Sequence, residues 1–190
     1  MMKRLRKFIR KFSRDRDGSL LAEMAITLSL LTTLSLSGVE VARYTLLHQK
    51  MERISASIGD LIAQAETLTE TDVLNVFDAI GEVAKPFEMG ANGLVIISSV
   101  GASEGSGPTM NWQRIGGGSL IATSQVGSTP GAAATLPTGL NVIDGETVIV
   151  AEVMFAYTPW LYDAVIGASQ LYHTAFFRPR LGTLTSVDPG

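Results

Sequence analysis

Apolar residues recur at Tyr44, Leu47, Met51, Ile54, Ile58, Leu61, Ala65 and Leu68, three and four positions apart, with Gln49, Lys50, Glu52, Arg53 and Asp60 between them. This is the heptad seam of an amphipathic helix. Just upstream, residues 24–39 carry no charge, and extending that run back to Ser19 adds only Glu23. The extended stretch approaches the ~20 residues that cross hydrocarbon as a helix. The two patterns join without a proline. They predict one helix from about Ser19 to about Thr67, roughly 70 Å long at the standard rise. Residues 19–41 would lie in lipid, and the outer half would lay its stripe against the rest of the chain.

A second, shorter helix is expected next. Thr69, Glu70, Thr71 and Asp72 offer a cap and early acidic residues. Val73, Val76, Phe77, Ile80 and Val83 follow at helical spacing, and Pro86 closes the segment. From Gly93 the pattern changes to strands: residues 94–100, residues 110–115, residues 146–158 ended by Pro159, and about 171–177. Gly116, Gly117 and Gly118 read as a flexible break. Residues 116–141, rich in Gly, Ala, Ser, Thr and Pro, read as a flexible loop. The fold class is therefore α+β: a long N-terminal transmembrane and spine helix, a short second helix, and a small antiparallel sheet of three or four meandering strands. The seam at 47–68 would cover the apolar face of that sheet.

Charge sets the orientation. Residues 1–17 hold eight of the fifteen basic residues against Asp15 and Asp17, a net +6, so the remaining chain carries −9. A basic head before an apolar run places that head in the cytoplasm, by the excess of Lys and Arg on the cytoplasmic side of membrane helices. The rival role for such a head, binding nucleic acid, is set aside because the apolar span follows at once. The expected organisation is a basic cytoplasmic leader at 1–18, a transmembrane helix at 19–41 and a periplasmic domain at 42–190. A cleaved signal peptide, with Ser35-Leu36-Ser37 as its small-x-small site, is the competing account. The helical periodicity running on through that site favours an uncleaved anchor. Cysteine is absent, which excludes disulfides, a lipoprotein anchor and thiolate metal sites.

Glu23 is costly within a membrane helix unless neutralised or paired. It is the fifth residue after Gly18. The run Gly18-Ser19-Leu20-Leu21-Ala22-Glu23, between a basic head and an apolar helix, resembles the processing site of type IV pilins and of Tad-system pseudopilins. Short blocks further on are similar to TadE-like proteins: Ile97-Ser98-Ser99-Val100, Trp112-Gln113-Arg114 with Gly117, Gly145-Glu146 leading into residues 148–153, and Arg178-Pro179-Arg180. Met24 departs from the aromatic residue that often follows the Glu in that family. The resemblance implies a minor pseudopilin of the bacterial inner membrane, cut between Gly18 and Ser19 by a prepilin peptidase. Glu23 would be the recognition or assembly carboxylate, and other pilus subunits and assembly-platform proteins would be the partners. Two alternatives stand beside it: a periplasmic binding module delivered by a signal peptide, and a minor pseudopilin of type II secretion.

Catalytic patterns are not found. His48 and His173 are the only histidines and read as ordinary surface or core residues. There is no H-E-x-x-H, no G-x-S-x-G and no phosphate-binding glycine loop. Glu66, Glu70 and Asp72 read as solvated helix-end residues, Trp112 as a strand aromatic, and Arg178 and Arg180 as solvated. No cofactor, metal or enzymatic activity is expected. Trp160 and Tyr162, just past the strand that Pro159 ends, are the candidate partner-contact residues.

Overall fold

The structure, a computed structural model, describes residues 17–103, 105–160 and 166–189. Helix α1 spans Asp17–Ala63, α2 Glu70–Ala84 and the single turn α3 Met89–Asn92. Strands β1 (Gly93–Ser103), β2 (Ser106–Gly116), β3 (Thr147–Tyr157) and β4 (Ser169–Phe177) form one sheet in the order β2-β1-β3-β4, with every pair antiparallel. The protein is thus an α+β fold with a long N-terminal helix, a short second helix and a four-stranded antiparallel sheet. The strand order is not the simple meander expected. β3 crosses to the far side of β1, pairing Val95 with Val153 and Ser99 with Ile149, while β2 forms a hairpin with β1.

α1 is one unbroken helix, about 70 Å long at 1.5 Å per residue. Its apolar first half stands clear of the sheet. Leu20, Leu21, Met24, Ile26, Leu28, Leu30 and Leu34 are all exposed. By length and composition this segment can cross a membrane. The side chains of Ser29, Thr33 and Ser37 donate to the carbonyls of Ala25, Ser29 and Thr33, so these hydroxyls are satisfied within the helix. The second half packs on the sheet through Leu47, Met51, Ile54, Ile58 and Ile62.

Here the heptad reading fails at one end. Leu61 is 56% exposed while Ile62 is 1% exposed, and the helix stops at Ala63, before Ala65 and Leu68. A straight helix has 3.6 residues per turn, so a strict 3.5-residue seam drifts off the contact line by about 20° per heptad. The stripe consequently steps from 58 to 62. Past Ala63 the chain turns, and the Arg180 N–H donates to the Ala63 carbonyl at 2.8 Å, closing an otherwise open helix end.

α2 begins with a reciprocal capping box. The Thr69 hydroxyl accepts from the Asp72 N–H, and the Asp72 carboxylate accepts from the Thr69 N–H. The Thr69 hydroxyl also lies 2.7 Å from the Asp72 carboxylate, and its hydrogen bond, then the one from the Thr69 N–H, holds that carboxyl below its ordinary range. Glu70 in the same turn is bound by Arg114 of β2, which likewise holds its carboxyl low. The acidic residues here are cap and tether. Residues 183–188 complete this end. Trp112, a buried strand aromatic, donates from Nε1 to the Leu184 carbonyl at 2.8 Å, and Asp188 bridges to Leu68 and Glu70 through backbone bonds.

The triple glycine is a site of close approach. A Cβ on Gly116 would meet the Phe77 ring at 2.4 Å, and one on Gly118 would meet the Gly93 carbonyl oxygen at 2.1 Å. Gly117 takes φ +70°, a left-handed conformation that glycine tolerates best. α2 and α3 sit close to the sheet because no side chain intervenes.

Residues 117–146 hold neither helix nor strand, yet they form a layer. The sheet face opposite the helices carries Leu94, Ile96, Val100, Met110, Val148, Val150 and Met154. Val126 and Ala134 are buried on it with Leu136, Leu140 and Val142 packed against their cluster, and Leu120 and Ala122 pack on Leu94, Ile96 and Met154. Backbone bonds link Met110 with Gly131 and Ala132, and Ala134 with Pro108, covering part of the β2 edge. Both faces of the sheet are therefore covered, and the stretch read as a flexible loop is packed onto one of them.

Candidate functional site

The residues singled out in the sequence fall into two separate places. Gly18, Ser19 and Glu23 lie in the first turns of α1, all exposed, and a Cβ on Gly18 would meet nothing within 4 Å. No other part of the described chain reaches them. They are presented on a bare helix, an arrangement that suits recognition by another molecule.

Trp160 lies at the opposite end of the apolar segment, past the end of β3; Tyr162 lies outside the described residues. The indole is 75% exposed. One ring face is occupied by the Arg43 guanidinium, 4.0 Å from the ring centroid. The same cation lies 5.7 Å from the centroids of both Phe87 and Tyr157, so three aromatic rings surround it. Its Nη1 also donates to the Thr158 carbonyl at 3.4 Å.

This corner is organised by a residue that sequence reasoning missed. Glu40, 1% exposed, is a buried carboxylate. It accepts from the Tyr157 hydroxyl and from the Trp160 N–H at 3.2–3.3 Å, and Arg43 lies 3.6 Å away, one turn on along α1. Such a group is costly to bury without partners, and it has them. Burial, then the hydrogen bond to Glu40, pushes the Tyr157 hydroxyl up to about 12, so it stays a donor through neutral pH. The cluster fastens the last residue of β3 to the helix where the apolar segment ends. One signal was available: Glu40 is the first charge after the uncharged run, and Arg43 follows three residues later.

The two histidines also meet. His48 Nδ1 of α1 and His173 Nε2 of β4 are 2.8 Å apart, one ring donating and the other accepting. Tyr44 packs edge-on against His48. Burial, then the neighbouring His48, pulls His173 below the ordinary histidine value. The two histidines, read from the sequence as ordinary surface or core residues, form a hydrogen-bonded pair between α1 and β4.

A third polar cluster lies on the far face of the sheet. Glu152 of β3, fully buried, accepts from the Ser124 hydroxyl, the Gln125 N–H at 2.8 Å and the Tyr172 hydroxyl at 2.9 Å. These bonds pin the 117–146 layer to the central strand. An open cleft of about 510 Å³ runs beside it, lined by Ile121, Thr123, Ser124, Met154, Gln170 and Tyr172. Among the described residues, no three His, Asp or Glu side chains gather as a metal site would require.

Comparison of the chain with protein-family models, with curated proteins and with solved structures finds no match.

Proposed function

We propose that this chain is a minor pseudopilin of a Tad/Flp-type pilus: a single-pass inner-membrane protein, cut after Gly18 by a prepilin peptidase and acting in pilus assembly. The observation that carries the reading is one continuous helix. It presents Gly18 and Glu23 at one end, runs through a charge-free segment, and supports a packed sheet domain with the other. The basic residues ahead of it favour a cytoplasmic N-terminus and a periplasmic domain.

The chemistry of the pieces fits that role. Glycine at the cleavage position leaves the backbone open to a protease at the membrane face. Cleavage creates an amine at Ser19, one helical turn from Glu23, and a carboxylate in lipid is stabilised by such a cation from a neighbouring subunit. The row Ala25, Ser29, Thr33 and Ser37 keeps one helix face narrow, with its hydroxyls satisfied internally, and so open to close packing by other subunit helices. Inner-membrane lipid, the peptidase, other pilus subunits and assembly-platform proteins are the partners this implies.

Deleting the gene tests the reading. Surface fibres should disappear while the main fibre subunit is still made. Wild-type protein should restore them, and Glu23→Ala should not. Undiminished fibres in the deletion strain would remove the proposal. A second reading, a periplasmic module released by signal peptidase, draws on one observation: domain packing begins at Glu40, so a chain starting at Gly38 would keep the domain intact.

A further inference from the structure

We infer that the Trp160–Arg43 corner is a lipid-facing seat, placed in the outer headgroup layer of the membrane and setting the height at which the sheet domain stands above it. This rests on the reading of α1 as a membrane anchor, and it goes beyond the partner-protein role that sequence position suggests for Trp160.

Geometry supplies the first argument. Glu23 and Glu40 are the charges that bracket residues 24–39. Seventeen helical steps separate them, about 26 Å at the standard rise, close to the ~30 Å hydrocarbon thickness of a bilayer. With Glu23 near one boundary, Glu40 lies near the other. The Trp160 N–H is bonded directly to the Glu40 carboxylate, so the indole is held at that same level.

The chemistry of the corner supplies the second. An indole beside a guanidinium, one apolar and wide, the other cationic, matches the boundary where acyl chains give way to phosphates. Trp160 is 75% exposed, and its seat is fixed from beneath by a buried carboxylate and Tyr157. Beside it opens a groove of about 320 Å³, where Pro86, Phe87 and Pro159 are apolar, Glu88 and Asn92 are polar, and Arg43 supplies a cation 3.6 Å from Glu40. That mixed lining suits the polar–apolar boundary of a phospholipid layer, with upper acyl carbons against the rings and headgroups beside the polar side chains. Continuity with the apolar segment, whose exposed Leu and Ile side chains end just below, favours lipid over a soluble partner.

The test reconstitutes the full chain in phosphatidylcholine–phosphatidylglycerol vesicles whose acyl chains carry bromine either near the headgroup or near the chain end. Trp160 and Trp112 are the only tryptophans, and Trp112 is buried in the domain. Wild-type emission should fall with the shallow bromines more than with the deep ones, and Trp160→Phe should lose that response. Leu30→Trp in the Trp160→Phe background reports independently on α1. If Leu30→Trp is quenched while wild type and Trp160→Phe behave alike, the helix is in lipid but the seat is wrong, and Trp160 is left to a protein partner. If neither probe is quenched, the seat and the membrane reading fall together.

Discussion

The Tyr157 hydroxyl, at the end of β3, donates to the buried carboxylate of Glu40, 117 residues earlier, where the apolar half of α1 meets the sheet. With Trp160 N–H as a further donor, this bond makes the helix and the sheet one body at the point where an anchor would transmit force to the domain. Tyr157→Phe removes a hydrogen bond to a charged group and should destabilise the domain by about 1.5–3 kcal/mol. Urea unfolding of the detergent-solubilised protein measures it. Stability should also fall as pH rises from 10 to about 12. The folded hydroxyl holds its proton across that window while the unfolded one loses it, so the contribution is complete below pH 10. The variant should lack that component.

Acid should loosen a second contact of α1, the one His48 makes with His173 of β4. His173 is held below its ordinary value of 6.5, so between that value and its lower folded value the unfolded chain binds more protons. The stabilisation is present above pH 6.5 and is lost as pH falls. Burial and the charge of His48 act in this direction, Glu52 acts against it, and Tyr44 packs on the pair. Unfolding midpoints at pH 7.5 and 5.5 should differ in the wild type and converge in His173→Asn.

Adjacent residues of α1 should behave as opposites. Ile62→Ala removes a fully buried side chain and should cost about 2–5 kcal/mol. Leu61→Ala, on the position a strict heptad would bury, should change stability by less than about 0.5 kcal/mol. Equal effects would mean that the seam does not drift as described.

Gly118→Ala should destabilise the fold by about 1–3 kcal/mol, the usual cost of forcing extra atoms into packed structure. The added Cβ meets backbone carbonyls of Gly93 and Met89, which cannot swing aside as a side chain could. Gly107→Ala, with open space around the Cβ and no left-handed φ, serves as a control for the conformational part alone.

Local signals in the sequence were sufficient for the elements. Thr69 and Asp72 mark the start of α2, Pro86 follows its end, and unbroken apolar runs mark β1 and β3. Those same runs carry a further signal. Residues 94–97 and 148–151 are apolar at successive positions, so both faces of the sheet need cover. The cover proved to be 117–146, whose small and polar composition conceals Val126 and Ala134. Strand order was not legible, because a 30-residue connection leaves the position of β3 relative to β1 and β2 open. Of the candidate residues, Gly18, Ser19 and Glu23 stand out in the sequence because their spacing is local. Glu40 with Tyr157 and His48 with His173 are pairings across 117 and 125 residues, and a single sequence has no periodicity that joins them.

The mass and N-terminal sequence of the protein extracted from its native membranes test the account most directly. A detergent-dependent species beginning at Ser19, with α1 intact through Glu40, is the expected result. A soluble species beginning at Gly38, or an uncut chain, would contradict it.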